Sequence, residues 1–150
     1  VNLANSKRAA GCGIVYEDEI LLAKRCEFFE GEPASMPNFW SIFTGLLDEG
    51  ENPMIGAIRE TYEESGIQLE LKDLNYAGKL YNENDNVELE VYMSYFKTRP
   101  TVKLNEENTE YIWFPIENIE NFPYTIQYDM VQCIIEYRTK LQNLKKYYNQ

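Results

Sequence analysis

The chain has 150 residues, 44% of them hydrophobic and 14% aromatic, and carries a formal net charge of −11. That length fits one domain, residues 1–150, around one core; the apolar content excludes a disordered tail, and the acidity argues against an extended nucleic-acid binder, which grips phosphates through Lys and Arg. The absence of histidine excludes Ser-His-Asp and Cys-His mechanisms and His-ligated metals. Any chemistry must therefore run on carboxylates, hydroxyls, Lys, Arg or backbone groups.

From the N-terminus, Val1 to Arg8 is polar and has no apolar signal core. Ala9 to Tyr16 and Ile20 to Arg25 read as a strand pair around the turn-like Glu17-Asp18-Glu19. Glu27 to Asn38, with Gly31, Pro33 and Pro37, reads as a loop. Phe39 to Thr44 is a third strand, and Gly45 to Asn52 an acidic loop. Asn52 is a good N-cap, Pro53 suits the first helical position, and Met54, Ile55, Ile58 and Tyr62 recur at helical spacing. Gly66 supplies a left-handed terminator, which bounds a helix over Pro53 to Ser65.

Tyr76 to Tyr81 and Val87 to Phe96 read as strands around a turn at Asn84-Asp85-Asn86, and Arg99 to Thr109 as a polar connector. Tyr111 to Ile116 is a further strand. Thr125 to about Tyr148 reads as a long amphipathic helix with Met130, Val131, Ile134, Ile135, Leu141 and Leu144 on its apolar side. Strands mixed with two main helices imply an α/β architecture with helices on both faces of a sheet. Cys12, Cys26 and Cys133 are widely separated and lack CxxC spacing, so neither a zinc site nor a disulfide framework is expected and the chain reads as cytoplasmic. No apolar run reaches the ~20 residues of a membrane span.

The chemistry concentrates on the first helix. Glu60, Glu63 and Glu64 stand at i, i+3 and i+4, where like charges repel by a few tenths of a kcal/mol per pair. They also lie near the helix C-terminus, where the macrodipole disfavours anions. Arg59 offsets part of this. A hard divalent cation would remove the rest, because Mg²⁺ prefers carboxylate and water oxygens. The plain alternative is a solvated acidic face.

The flanking residues favour the cation. From Gly45, five residues precede Glu51, seven more precede Arg59-Glu60, and Glu63-Glu64, Gly66 and Ile67 follow. This pattern resembles the Nudix box, and a chance match of its seven fixed positions at a given start is on the order of 10⁻⁸ at background residue frequencies. Thr61, Thr44 and Phe43 depart from the common pattern, where an aliphatic residue, a glycine and a proline are frequent. No carboxylate is lost.

The resemblance implies a Nudix fold, a mixed β-sheet sandwiched between α-helices. It also implies a Mg²⁺-dependent hydrolase, with Mn²⁺ as an alternative metal, cleaving a nucleoside diphosphate linked to another moiety. By analogy the metal set is drawn from Gly45, Glu51, Glu60, Glu63 and Glu64, with Glu63 and Glu64 the leading ligands. Glu60 is a ligand or the base, Arg59 orients the carboxylates, and Glu51 supports the loop or the metal's surroundings. Family members often add a later carboxylate, for which Glu106, Glu107 and Glu110 are candidates; Glu107 and Glu110 are favoured because they lie just before the Tyr111–Ile116 strand.

For substrate contacts, Trp40 and Phe39 are candidates to stack a base, although strand aromatics usually pack in a core. Lys24 and Arg25 are candidates for phosphate, although strand-end charges look the same. Tyr124 lines a pocket or staples the last helix. The expected substrate is a small nucleotide, foremost an ordinary or modified nucleoside triphosphate. ADP-ribose, sugar nucleotides, dinucleoside polyphosphates and non-catalytic nucleotide binding are the alternatives. No membrane partner is expected, and a homodimer would require an exposed apolar stripe on the last helix.

Overall fold

The computed structural model describes residues 6–127 and 129–148; residues 1–5 of the polar lead-in and Tyr128 of the final amphipathic stretch lie outside that range. Small and β-branched residues over Lys7–Tyr16 form β1, which turns at Glu17, a non-glycine residue at φ 51, into β2 at Glu19–Arg25. The loop expected over residues 27–38 contains a two-residue hairpin, β3 (Phe28–Phe29) with β4 (Glu32–Pro33). The expected third strand is split: β5 (Trp40–Ser41) pairs with β2, and β6 (Phe43–Leu46) pairs with β1. The break at Ile42 lets one segment serve two neighbours, and it carries Gly45 and Leu46 into a strand where a loop was expected.

After the helix α1 (Pro53–Ser65), a hairpin of β7 (Asn75–Asn82) and β8 (Val87–Phe96) follows, and β8 runs parallel to β1 from Lys7↔Val87 to Tyr16↔Phe96. The last strand, β9 (Asn108–Pro115), begins three residues earlier than its apolar pattern suggests because it pairs along β2 as far as Arg25↔Asn108. A 3₁₀ turn at Ile116–Asn121 leads toward α2 (Met130–Tyr148), which starts later than the apolar periodicity implies. The main sheet runs β5-β2-β1-β8-β7, with β6 also on β1 and β9 on β2.

Strand alternation divides the core into two layers. Val15, Ile20, Leu22, Leu89 and Met93 point to one side, where Met130 and Ile134 of α2 pack on them. Ala10, Cys12, Ile14, Leu21 and Phe43 point to the other, where Ala57 of α1 packs. Met130 and Ile134 are fully buried, each contributing about 2 kcal/mol by removal from water. The expected mixed sheet between helices is therefore present, and it leaves the β1, β6 and β8 ends beside α1 open to a cleft. Among the described residues no helix is long and apolar enough to cross a membrane.

Candidate active site

The helix that carries the acids is bounded as its sequence requires. Asn52 Oδ1 accepts from the Met54 amide at 2.8 Å, Pro53 opens the helix, and Gly66 closes it at φ 74 with its amide bonded to the Tyr62 carbonyl. Its buried residues are Gly56, Ala57, Glu60, Thr61, Glu64 and Ser65. The stripe facing the sheet is thus small or polar, while Ile55 and Tyr62 are 46% and 57% exposed. Gly56 packs closely under the loop before the helix: a Cβ there would run into the end of the Leu47 side chain, which would have to move. Glu60 and Glu64, one helical turn apart, share the buried stripe; Glu63 sits on its exposed flank.

A later loop completes the cluster. The Asn105 amide donates to the Glu64 carbonyl at 3.2 Å, the Lys103 amide to the Ser65 carbonyl at 2.8 Å, and the Cys26 amide to the Glu107 carbonyl at 2.9 Å. These bonds bring Glu107 to the end of α1, where carboxylate oxygens of Glu60, Glu64 and Glu107 all lie within 4.8 Å of one another. Three hard oxygen donors at that separation suit a divalent cation such as Mg²⁺. Glu64 adds a specific sign: it is 1% exposed, and among the described residues its buried Oε2 has no partner while Oε1 accepts from Asn108 Nδ2 at 3.0 Å. A buried carboxylate oxygen left unpaired costs free energy, and a cation could supply the missing partner. Gly45 belongs to the same arrangement, since a Cβ at that position would overlap the Glu60 carboxylate.

Electrostatics agree with this geometry. Burial raises the proton affinity of the Glu60 carboxyl, against the pull of Arg59. Burial first, then the Glu107 charge, pushes Glu64 well up, with the Asn108 hydrogen bond opposing. Glu51 behaves oppositely: its hydrogen bonds from Arg59 pull it down to about 2.

Arg59 is the brace of the site. It donates to both oxygens of Glu51 at 2.9 Å, to Glu60 at 2.9 Å, to Glu63 at 3.3 Å and to the Leu46 carbonyl at 3.2 Å. Glu51 also accepts from the Asp48 amide at 3.0 Å. Both Glu51 oxygens are thereby engaged in holding the loop and Arg59, and Glu51 and Glu63 stand outside the three-carboxylate cluster.

The cluster opens into a cleft of about 510 Å³ whose lining includes Lys7, Arg25, Gly45, Glu60, Glu107 and Gln127. Arg25 is fixed by its Nε, which donates to the Ser35 carbonyl at 2.8 Å. Lys24 is directed elsewhere: it pairs with Glu110, its cross-strand neighbour, at 3.4 Å. Glu106 is exposed. Trp40 is buried and stacked on Tyr124, ring centroids 5.6 Å apart and planes 15° apart. Phe39 is half-buried in a separate hollow with Asn38 and Tyr124. Asn108 and Gln127 were not marked by the sequence. No spacing signal separates Asn108 from Asn105, and Gln127 lies in a stretch whose helical periodicity does not mark it as buried beside the cleft.

The NUDIX domain model matches residues 5–132. Dihydroneopterin triphosphate diphosphatase of Haemophilus influenzae is 28% identical over 121 residues, covering 74% of this chain and 72% of that protein. RNA pyrophosphohydrolase of Bartonella quintana is 32% identical over 71 residues, covering 45% of this chain and 41% of that protein, so the match spans less than half of that relative's length. Among solved structures, the MutT protein of Methanosarcina mazei Go1 superposes with a TM-score of 0.72 at 22% identity, over 90% of this chain and 94% of that one. A C. elegans Ap4A hydrolase superposes at 0.71 and 22%, over 90% and 98%. At these identities the structural matches speak for the fold. With a family model over most of its length, a Nudix box from Gly45 to Ile67 and three converging glutamates, the chain belongs to the NUDIX domain family.

Proposed function

We propose that this protein is a Mg²⁺-dependent pyrophosphohydrolase that cleaves a nucleoside diphosphate linked to another moiety, foremost a nucleoside triphosphate, ordinary or modified, to the monophosphate and pyrophosphate. The observation that carries the reading is the convergence, among the described residues, of Glu60, Glu64 and Glu107 around a buried carboxylate oxygen that none of those residues pairs, at the edge of a cleft that also holds Arg25. A relative of matching length named as a triphosphate diphosphatase adds support for the triphosphate class.

Glu60, Glu64 and Glu107 would hold the cation, with the Gly45 backbone alongside Glu60. When bound, the cation offsets the charge of the diphosphate and makes water easier to deprotonate. Arg25 and Lys7, the basic residues lining the cleft, bind phosphate oxygens and offset the carboxylates. Glu107 is the least buried of the three and faces the cleft; it takes the proton of the attacking water. The water oxygen bonds to phosphorus, the bridging P–O bond breaks, and its electron pair leaves with pyrophosphate. Arg59 takes no part in the reaction itself; held by Glu51, it fixes Glu60 and Glu63 by direct hydrogen bonds.

The test is a phosphate-release screen with Mg²⁺ or Mn²⁺ and added pyrophosphatase. It covers ordinary and oxidised nucleoside triphosphates, ADP-ribose, sugar nucleotides and diadenosine polyphosphates; products that remain phosphomonoesters are treated with phosphatase. Turnover of a triphosphate, lost in Glu64→Gln, is the expected result. Turnover confined to ADP-ribose or a sugar nucleotide would overturn the triphosphate assignment, and no turnover across the panel would overturn the enzyme reading.

A further inference from the structure

The cleft has a second polar landmark. Gln127 is 4% exposed, lines the same cleft as Glu60 and Glu107, and among the described residues its buried Oε1 has no hydrogen-bond partner. A buried amide oxygen left unpaired is costly, so its retention in a cleft points to a ligand that satisfies it.

The backbone around Gln127 is held firmly. The Trp40 amide donates to the Thr125 carbonyl and the Gln127 amide to the Trp40 carbonyl, both at 2.8 Å, and Trp40 pairs with Ile126 as a parallel bridge. Trp40, Phe122 and Tyr124 pack ring on ring just before this segment, with centroids 5.6–5.8 Å apart. Gln127 therefore projects from an anchored stretch, and fixing its carboxamide on a ligand costs little further entropy. Ala9 and Val87 from β1 and β8 line the same cleft and give it an apolar part.

We propose that Gln127 is a specificity-determining residue that reads the hydrogen-bonding edge of the substrate's base, while Arg25 and Lys7 engage its phosphates. A carboxamide sets an acceptor beside a donor, and exchanging its two ends keeps that pair. The base it selects must offer a donor beside an acceptor, as the amino or keto edges of purines and pyrimidines do. The inference rests on the nucleotide reading above and adds which residue discriminates among nucleotides. A site built around such a bond rejects analogues lacking the partner far more strongly than an apolar pocket does.

The experiment compares wild type, Gln127→Leu and Gln127→Met on ATP, GTP, CTP, UTP and purine riboside triphosphate, which lacks an exocyclic group. Calorimetric binding of the matching monophosphates without metal runs in parallel, and melting curves establish that each variant is folded. The expected result is a spread of at least ~30-fold in wild-type kcat/KM that falls below ~3-fold in the variants, through KM, while the poorest substrate keeps its kcat. Should Leu and Met variants fail to fold, Gln127→Glu, which keeps the acceptor and removes the donor, should reorder the preference. An unchanged order of preference in a folded variant, or a wild type that treats all five alike, overturns the inference. Binding preference without turnover in wild type would instead overturn the hydrolase reading and leave Gln127's role supported by the calorimetry.

Discussion

Glu64 and Asn108, 44 residues apart in the chain, meet in the interior through a 3.0 Å hydrogen bond from Asn108 Nδ2 to Glu64 Oε1, and the other Glu64 oxygen is buried without a partner among the described residues. The pair holds one face of the carboxylate in place and leaves the second for a cation. Glu64→Gln should therefore abolish metal-dependent turnover, a loss of at least ~100-fold. In metal-free buffer it should raise stability, because it removes a buried charge set against Glu60 and Glu107. About 1 kcal/mol, or ~3 °C in melting temperature, is expected. A fall in metal-free melting temperature would contradict this account.

The pH dependence separates two kinds of glutamate. The folded-state pKa values of Glu60 and Glu64 are raised, so without metal the folded protein binds more protons than the unfolded chain above the ordinary value of 4.5. Stability then falls as pH rises from about 4.5 through the raised values. Glu51, lowered to about 2 by Arg59, contributes stability above 4.5 that is lost as pH falls toward 2. Urea melts in EDTA from pH 3 to 8 should show a maximum on the acid side of neutrality. Added Mg²⁺ should stabilise most at the alkaline end, where the carboxylates no longer need to lose protons to bind it.

Arg59 joins Glu51, Glu60, Glu63 and the Leu46 carbonyl. Lysine keeps the charge but not the planar fork. Arg59→Lys should cost about 2 kcal/mol in chemical denaturation, by leaving Glu51 incompletely paired. Its kcat should fall more than its KM rises, since Glu60 loses its brace while the cleft remains.

Gly45→Ala tests the backbone approach to Glu60. The added methyl displaces the Glu60 carboxylate, so metal affinity measured by calorimetry should drop at least ~10-fold, with a stability loss of about 1–3 kcal/mol. Unchanged affinity would detach Gly45 from the metal site.

Thr61 is fully buried and its hydroxyl has no partner among the described residues. Valine has nearly the same shape without the hydroxyl. Thr61→Val should stabilise the protein by about 1 kcal/mol in thermal or urea melts and leave turnover unchanged.

The span of α1 was readable from Asn52, Pro53 and Gly66, because capping and helical spacing are local properties of consecutive residues. The Nudix box, read the same way, brought the family and its fold with it. The tertiary structure decided what local spacing does not express. Glu60, Glu63 and Glu64 share a helix face by spacing, but packing of Gly56 and Ala57 on the sheet rotates Glu60 and Glu64 inward and leaves Glu63 outside with Arg59. Glu107 and Glu110 look alike in a polar stretch. Backbone bonds through Cys26 and Asn105 carry the first to the cluster, and cross-strand pairing gives the second to Lys24. Gln127 reaches the cleft because its backbone pairs with Trp40, a contact between residues 87 positions apart. Helix limits and motif come from neighbours in sequence; which carboxylates converge, and which amide lines the cleft, come from long-range backbone bonds and burial that exist only once the sheet is assembled.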